Sequence, residues 1–288
     1  SRAVRMGAQG FRSRTQSSIA VSSGGAHWAL FNASPDIRQQ IGENPELSPA
    51  VDAPLRSTPI ACVVLTNADV DHIAGLLTLR ERQPFSLYAT QRVMDVIHAN
   101  PIFRVLNPDL VKRKLLPLDE VTMLEGPDGP IGIEIQAFAV DGKVALFMEE
   151  EGQAEGNFGT EEGDTIGVAI RQHCDAAPVY YIPGCAQVSD ELRARINGAA
   201  CLLFDGTVYT DDEMRLAGVG EKSGSRMGHI YMSGKDGSMD RLADVELGQR
   251  IFIHINNTNP VLEAGSPAER DVIDRGWKIA YDGMEIVL

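Results

Sequence analysis

The sequence predicts a layered α/β architecture, sheets covered by helices, on three observations. Short β-like apolar runs recur along the chain, helical patterns are interleaved with them, and 43% of the 288 residues are hydrophobic, enough to fill a proper core. In chain order the strand runs are SSIAVSS, WALFNAS, IACVVLTN, FSLYAT, IGIEIQAFAV, GVAIRQ, VYYIP, CLLFDG and RIFIHIN. Between them, DHIAGLLTLRER and TQRVMDVIHAN carry apolar residues at helical spacing, and SDELRARING opens on a Ser-Asp cap signal. The acidic, Gly-containing stretch from Met148 to Asp164 reads as a loop or hairpin insertion, and Val219 to Gly228 as a second, mobile loop. With no internal repeat and no linker that divides the chain, residues 1–288 are expected to form one domain.

Charge narrows the function classes. Forty acidic residues against 26 basic ones give a net charge of −14, which repels phosphate backbones and anionic lipid, so neither nucleic acid nor a membrane is an expected partner. No apolar stretch approaches the roughly 20 residues that span a bilayer. The opening SRAVRMGAQGFRSRTQ is basic but lacks the apolar segment of a signal peptide, and a cytoplasmic location is expected. Four widely spaced cysteines, Cys62, Cys174, Cys185 and Cys201, include no C-x-x-C pair, which suggests neither a zinc knuckle nor a disulfide framework. Cys62 and Cys201 lie in apolar runs and read as small buried hydrophobes; Cys185 does not.

The polar residues concentrate at strand ends. IACVVLTN delivers Asn67 to its C-terminal end, and Asp69, Asp71 and His72 follow on the connection to the next helix, where α/β proteins bind ligands. An N-cap would account for one of these carboxylates, not for both and a neighbouring histidine. His254 stands near the end of RIFIHIN, as a ligand or as a hydrogen-bonded core histidine. Asp205 ends CLLFDG, and His229 follows a Gly-containing loop. Asp205 would orient a ligand histidine or serve as a turn residue before Gly206, and Asn67 would bond substrate, a metal-bound water or only its own turn. Asp69 reads as a further ligand or a partner to the ligands, and His229 as a group that binds substrate or moves its proton. Lys222 and Arg226 are candidates for substrate carboxylates, against the plainer alternative of solvated loop charges. Tyr180, Tyr181, Tyr231 and the methionines of MGHIYMSG would line a pocket or pack in the core.

The segments VVLTNADVDHIAGLLTLRE, YYIPGC, LLFDGT, MGHIYMSG and IFIHINNTNP together resemble the pyrroloquinoline quinone (PQQ) biosynthesis protein B family, PqqB, within the metallo-β-lactamase superfamily. The resemblance runs over essentially the whole chain and implies a metallo-β-lactamase-like αββα sandwich, two mixed β-sheets covered by helices. It also implies, for the family, a Gly-rich first strand and closely spaced cysteines that bind a structural zinc; the sequence starts at Ser1 without them. Compared with the superfamily pattern His-x-His-x-Asp-His, the first two histidines fall on Asn67 and Asp69, the third first-site histidine falls near Asp141-Gly142, and the bridging aspartate falls near Gly184-Cys185. The first metal site is thereby dismantled. The second keeps Asp71, His72 and His254, the ligand set of non-haem Fe(II) oxygenases, although zinc or copper would also suit such donors in a crystal. The resemblance implies iron-dependent, O2-using hydroxylation of the tyrosine ring of a small cross-linked Glu-Tyr precursor. A carrier of PQQ or its precursor and a degenerate zinc hydrolase are the alternatives. Other PQQ biosynthesis proteins and a second copy of the chain are the protein partners that the resemblance admits.

Overall fold

Alternation along the strands sorts apolar side chains onto two sheet faces, and the computed structural model shows where each face goes. It describes residues 2–148, 161–172 and 177–288; most of the acidic insertion, and Cys174, lie outside them. The first sheet runs in spatial order through β1 (Ile19–Val21), β2 (Trp28–Phe31), β3 (Ile60–Val64), β4 (Phe85–Ala89) and β5 (Val111–Leu115), parallel except for the β1–β2 pair. The second holds β6 (Val121–Gly126), β7 (Gly129–Ala139), β8 (Ile166–Arg171), β9 (Val179–Ile182), β10 (Ala199–Asp205), β11 (Leu247–Ile253) and β12 (Lys278–Ile279), ordered β12-β11-β10-β9-β8-β7-β6. It is antiparallel from β6 to β9 and parallel from β9 to β12. The helices are α1 (Arg2–Arg5), α2 (Ile37–Glu43), α3 (Val70–Ile73), α4 (Gln91–Ala99), α5 (Asp190–Ile196), α6 (Glu213–Leu216), α7 (Ser238–Arg241) and α8 (Pro267–Asp274).

Three cores follow from the alternation. Along β10, Cys201 and Leu203 join Phe31, Val64, Tyr181 and Ile251 between the sheets. The alternate residues Leu202 and Phe204 pack outward with Phe252 and Trp277, whose rings stack with centroids 4.1 Å apart. On the far side, Val63, Leu65 and Leu87 meet Val93, Met94 and Ile97 of α4. The order helix, sheet, sheet, helix is the αββα sandwich expected from the resemblance, and each fully buried aliphatic side chain in it contributes about 1.5–3 kcal/mol. Tyr180, Tyr181 and Met232 are core residues, Tyr180 and Met232 outside the second sheet and Tyr181 between the sheets.

Two helical expectations hold and one does not. Thr90 caps α4 and Ser189 caps α5, each accepting from the backbone N–H three residues on. DHIAGLLTLRER, in contrast, makes one α-helical turn in α3 and then a 3-10 turn over Ala74–Leu77. Gly75 explains the tight geometry: its N–H bonds the Ala33 carbonyl at 2.9 Å, and a Cβ there would lie 2.2 Å from the Ser34 carbonyl oxygen. The segment is clamped against the end of β2 and does not continue as a free helix. The loop expected to be mobile near residue 224 is likewise pinned, with Asp211 accepting from the backbone N–H and hydroxyl of Ser225.

Candidate metal centre

Parallel strands end side by side, so their C-terminal loops converge. β10 and β11 pair through Asp205 and Ile253, which sets Asp205 beside the residue before His254. Gly206 permits this approach, since a Cβ on it would lie 2.9 Å from the Phe252 Cβ. His254 itself has φ +59°, a left-handed conformation that a non-glycine residue holds only when its surroundings impose it. From the other sheet, β3 leads through Thr66 and Asn67 to α3, which carries Asp71 and His72. Asn32, at the end of β2 with φ +64°, ties these loops together: its Oδ1 accepts from the Thr66 N–H at 2.9 Å, and the Ala33 N–H donates to the His72 carbonyl at 2.7 Å.

Asp71, His72 and His254 present one donor atom each within 4.8 Å of one another. Asp71 Oδ2 lies 3.0 Å from His254 Nε2 and 3.8 Å from His72 Nε2. His72 is buried, and its Nε2 has no hydrogen-bond partner among the described residues. Its other nitrogen is fixed. The Asp69 backbone N–H can only donate, and it meets Asn67 Oδ1 at 3.0 Å; the Asn67 atom 2.6 Å from His72 Nδ1 is therefore the amide oxygen, and Nδ1 carries the proton. Among the described residues Nε2 is left with a bare lone pair, 3.8 Å from the Asp71 carboxylate, and the His72 and His254 ring centroids are 5.1 Å apart. A lone pair buried beside a carboxylate is costly unless a cation fills the gap, so the three side chains fit a metal ion.

Electrostatics agree with the donor set. Burial keeps the His72 ring neutral, with its pKa lowered to about 3. Burial opposes the Asp71 charge, but the His254 hydrogen bond and the neighbouring imidazoles hold its carboxyl well below the usual range. Burial also disfavours a charged His254, yet the bond to Asp71 and the carboxylates of Asp71, Asp205 and Asp69 outweigh it and raise its pKa.

Asp205, His229 and His254 form a second group of donors within 4.8 Å. Here the donors already satisfy each other. His229 Nδ1 donates to Asp205 Oδ2 at 2.7 Å, the Cys185 N–H donates to the same oxygen at 2.9 Å, and Asp205 Oδ1 takes the Thr207 N–H and hydroxyl at 3.0 and 2.7 Å. Burial would raise the Asp205 pKa, but His229, His254 and Thr207 hold it below the ordinary value. The His229 ring stacks on His254, centroids 5.2 Å apart. This is a carboxylate–imidazole pair behind the metal centre.

The other candidate residues take separate places around the two donor groups. Asn67 bonds the His72 ring and its own turn, the turn role that its place after the strand also allowed. Asp69 occupies the cap position of α3 without a side-chain cap bond, takes the Asn67 amide at 3.3 Å, and belongs to neither donor group. Asp205 makes its turn through the Thr207 N–H and also orients His229; among the described residues its hydrogen-bonded path to the candidate ligand His254 runs through the Thr207 hydroxyl. Lys222 is exposed and Arg226 half-buried on the loop into His229, outside both donor groups. Burial pushes the Cys185 thiol up, and the side chain bonds the Gln187 carbonyl. Thr207 is the functional residue that sequence reasoning missed; its only signal was its place after a strand-end Asp-Gly. A cavity of about 1210 Å3 opens beside the centre, with Asp71, Thr207, His254 and Asn256 on its wall.

Comparison with known proteins gives consistent matches. The Beta-lactamase superfamily domain matches residues 27–255. The chain is 51% identical over 275 residues to coenzyme PQQ synthesis protein B of Gluconacetobacter diazotrophicus, covering 95% of this chain and 88% of that protein. It is 50% identical over 278 residues to the protein of the same name in Methylobacterium radiotolerans, covering 96% and 89%. The crystal structure of Zn(2+)-bound PqqB from Methylobacterium extorquens superposes with a TM-score of 0.92 at 48% identity, covering all of this chain and 92% of that one. A diphosphatase of the PhnP family shares the fold, with a TM-score of 0.63 at 17% identity.

Proposed function

This chain belongs to the coenzyme PQQ synthesis protein B family of the β-lactamase superfamily, and from that membership we propose that it acts in PQQ biosynthesis as an iron-dependent, O2-using hydroxylase of the tyrosine ring in a cross-linked Glu-Tyr precursor. The observation that carries the proposal is the unsatisfied His72 Nε2 beside the Asp71 carboxylate and His254 Nε2. Two imidazoles and one carboxylate on one side of an ion leave its remaining positions open, as in non-haem Fe(II) oxygenases. Iron held there would supply electron transfer to O2, which zinc does not offer. The zinc in the Methylobacterium extorquens relative supports a cation in this family, and zinc suits the same donors.

The chain's own residues would do the rest. Asp71 stays ionised and His72 neutral through the physiological range, so both are ready as ligands without gaining or losing a proton. His229 donates its Nδ1 proton to Asp205, which leaves Nε2 as a base for the phenolic proton of a tyrosine ring; Asp205 then steadies the imidazolium. The adjoining cavity would admit a peptide-derived small molecule; Lys222 and Arg226, which lie on the loop into His229 rather than on the cavity wall, are the cations we propose for its carboxylates.

The test is anaerobic reconstitution with Fe(II), then exposure to O2 and a reductant with a cross-linked Glu-Tyr compound. The expected product has gained oxygen by mass. Alanine at Asp71, His72 or His254 should abolish the gain, and His229→Ala should slow it by about 10²–10⁴-fold. Tight binding without turnover, whatever metal is supplied, would make the protein a carrier; product formed without O2 would make it a hydrolase.

A further inference from the structure

We infer that Thr207 is a positioning residue, whose hydroxyl relays the Asp205 carboxylate to His254 and fixes which nitrogen of His254 faces the cation. The inference rests on His254 being a metal ligand. Thr207 is buried, and its Oγ1 has four neighbours: Asp205 Oδ1 at 2.7 Å, His254 Nδ1 at 2.8 Å, the His254 carbonyl at 3.0 Å and His229 Nδ1 at 3.1 Å. A hydroxyl has one proton to give. The ionised carboxylate is the nearest acceptor and the only charged one, so the proton goes to Asp205 Oδ1. His229 Nδ1 is engaged by the other carboxylate oxygen at 2.7 Å. The lone pairs of Oγ1 are then left to accept, and the ring nitrogen 2.8 Å away must bring the proton: His254 Nδ1–H donates to Thr207.

The consequence falls on the opposite side of the ring. If the hydroxyl proton turned to His254 Nδ1, the neutral imidazole would carry its proton on Nε2, the nitrogen 3.0 Å from Asp71 Oδ2, and that nitrogen would be closed to a cation. With Nδ1–H held by Thr207, the lone pair of the neutral ring lies on Nε2, the nitrogen that faces Asp71, and the Asp205 charge behind the relay makes it a better donor. Thr207 is itself held in register: its carbonyl accepts from the Asn256 N–H at 3.0 Å and its N–H bonds Asp205, which ties the loops after β10 and β11 together. His72 is oriented from the other sheet by Asn67, so the two ligand imidazoles are set independently.

The test compares zinc affinity, by competition with a chromophoric chelator, in wild-type protein, Thr207→Val, Thr207→Ser and His254→Ala. Valine keeps the shape and removes the relay; zinc binding is expected to weaken about 10–100-fold, and serine to restore it to within a few-fold of wild type. Wild-type affinity in the valine variant, or a serine variant as weak as valine, would overturn the proposal. A second measurement does not depend on any variant folding. In cobalt(II)-loaded wild-type protein with labelled histidine, the His254 Nδ1–H should appear as a paramagnetically shifted proton protected from exchange with water, and its absence would refute the relay. If His254→Ala binds zinc as tightly as wild type, the metal-centre assignment fails and takes the proposal with it; a loss confined to His254→Ala leaves the metal centre standing and removes Thr207 alone.

Discussion

His72 donates from one ring nitrogen to Asn67 and, among the described residues, keeps the other bare, an asymmetry that suits a cation. Asn67→Leu removes the acceptor, so zinc affinity should fall about 10–100-fold; an unchanged affinity in a chelator competition would count against the role of Asn67. His254 behaves differently because its folded pKa is raised above 6.5. Without metal, the charged His254–Asp71 pair stabilises the fold fully below the unfolded value and fades as pH rises through the folded one. A cation replaces that proton, so the gain in thermal midpoint on adding zinc should grow as pH rises through this window, and a pH-independent gain would contradict the titration. Cys62, Cys185 and Cys201 are buried, and burial raises all three thiols, Cys62 to about 12. Peptide mapping after alkylation of the native protein at about pH 8 should find these three unmodified, and rapid labelling of any would show that its site opens. At this scale the sequence was informative where polar residues ended or closely followed an apolar run, as at Asp71, His72, Asp205 and His254. It was silent on which way the Asn67 amide faces and on Thr207, because a hydroxyl after Asp-Gly looks like any turn residue.

Among the elements, those that hold the centre are short and clamped. α3 has a single turn, and Gly75 seats it against the carbonyls at the end of β2. Gly75→Ala would drive a Cβ into the Ser34 backbone oxygen; a destabilisation of about 1–3 kcal/mol in urea unfolding is expected, with weaker zinc binding because α3 carries two of the ligands. Near-wild-type stability would mean that the α3–β2 contact is looser than its hydrogen bonds imply. Runs such as IACVV and AACLLFD announced their strands because both faces are buried and nothing breaks the apolar pattern. β5, VKRKL, and β6, VTMLEG, escaped notice because each is the edge strand of its sheet, where one side is solvated and charges are favoured. Lys114 of β5 and Glu125 of β6 pair at 2.6 Å across those edges, a tertiary contact that no local pattern encodes.

For the molecule as a whole, two mixed sheets face each other across a shared core, and the centre lies where loops after strands of both sheets meet. Each sheet supplies part of it: Asp71 and His72 come from the first, His254 and the Asp205–His229 pair from the second. Strand order was not readable from local patterns, since it depends on pairings between residues far apart in sequence; the family resemblance supplied the sandwich. No helix among the described residues is long and apolar enough to cross a membrane. The claim on which the chemistry depends is that one cation joins the two halves through Asp71, His72 and His254. A crystal structure of the zinc-loaded protein, with anomalous scattering measured at the zinc edge, tests it most directly. One anomalous peak about 2.0–2.2 Å from His72 Nε2, His254 Nε2 and an Asp71 oxygen is the predicted result, and a loaded protein with no peak bridging these three side chains would contradict it.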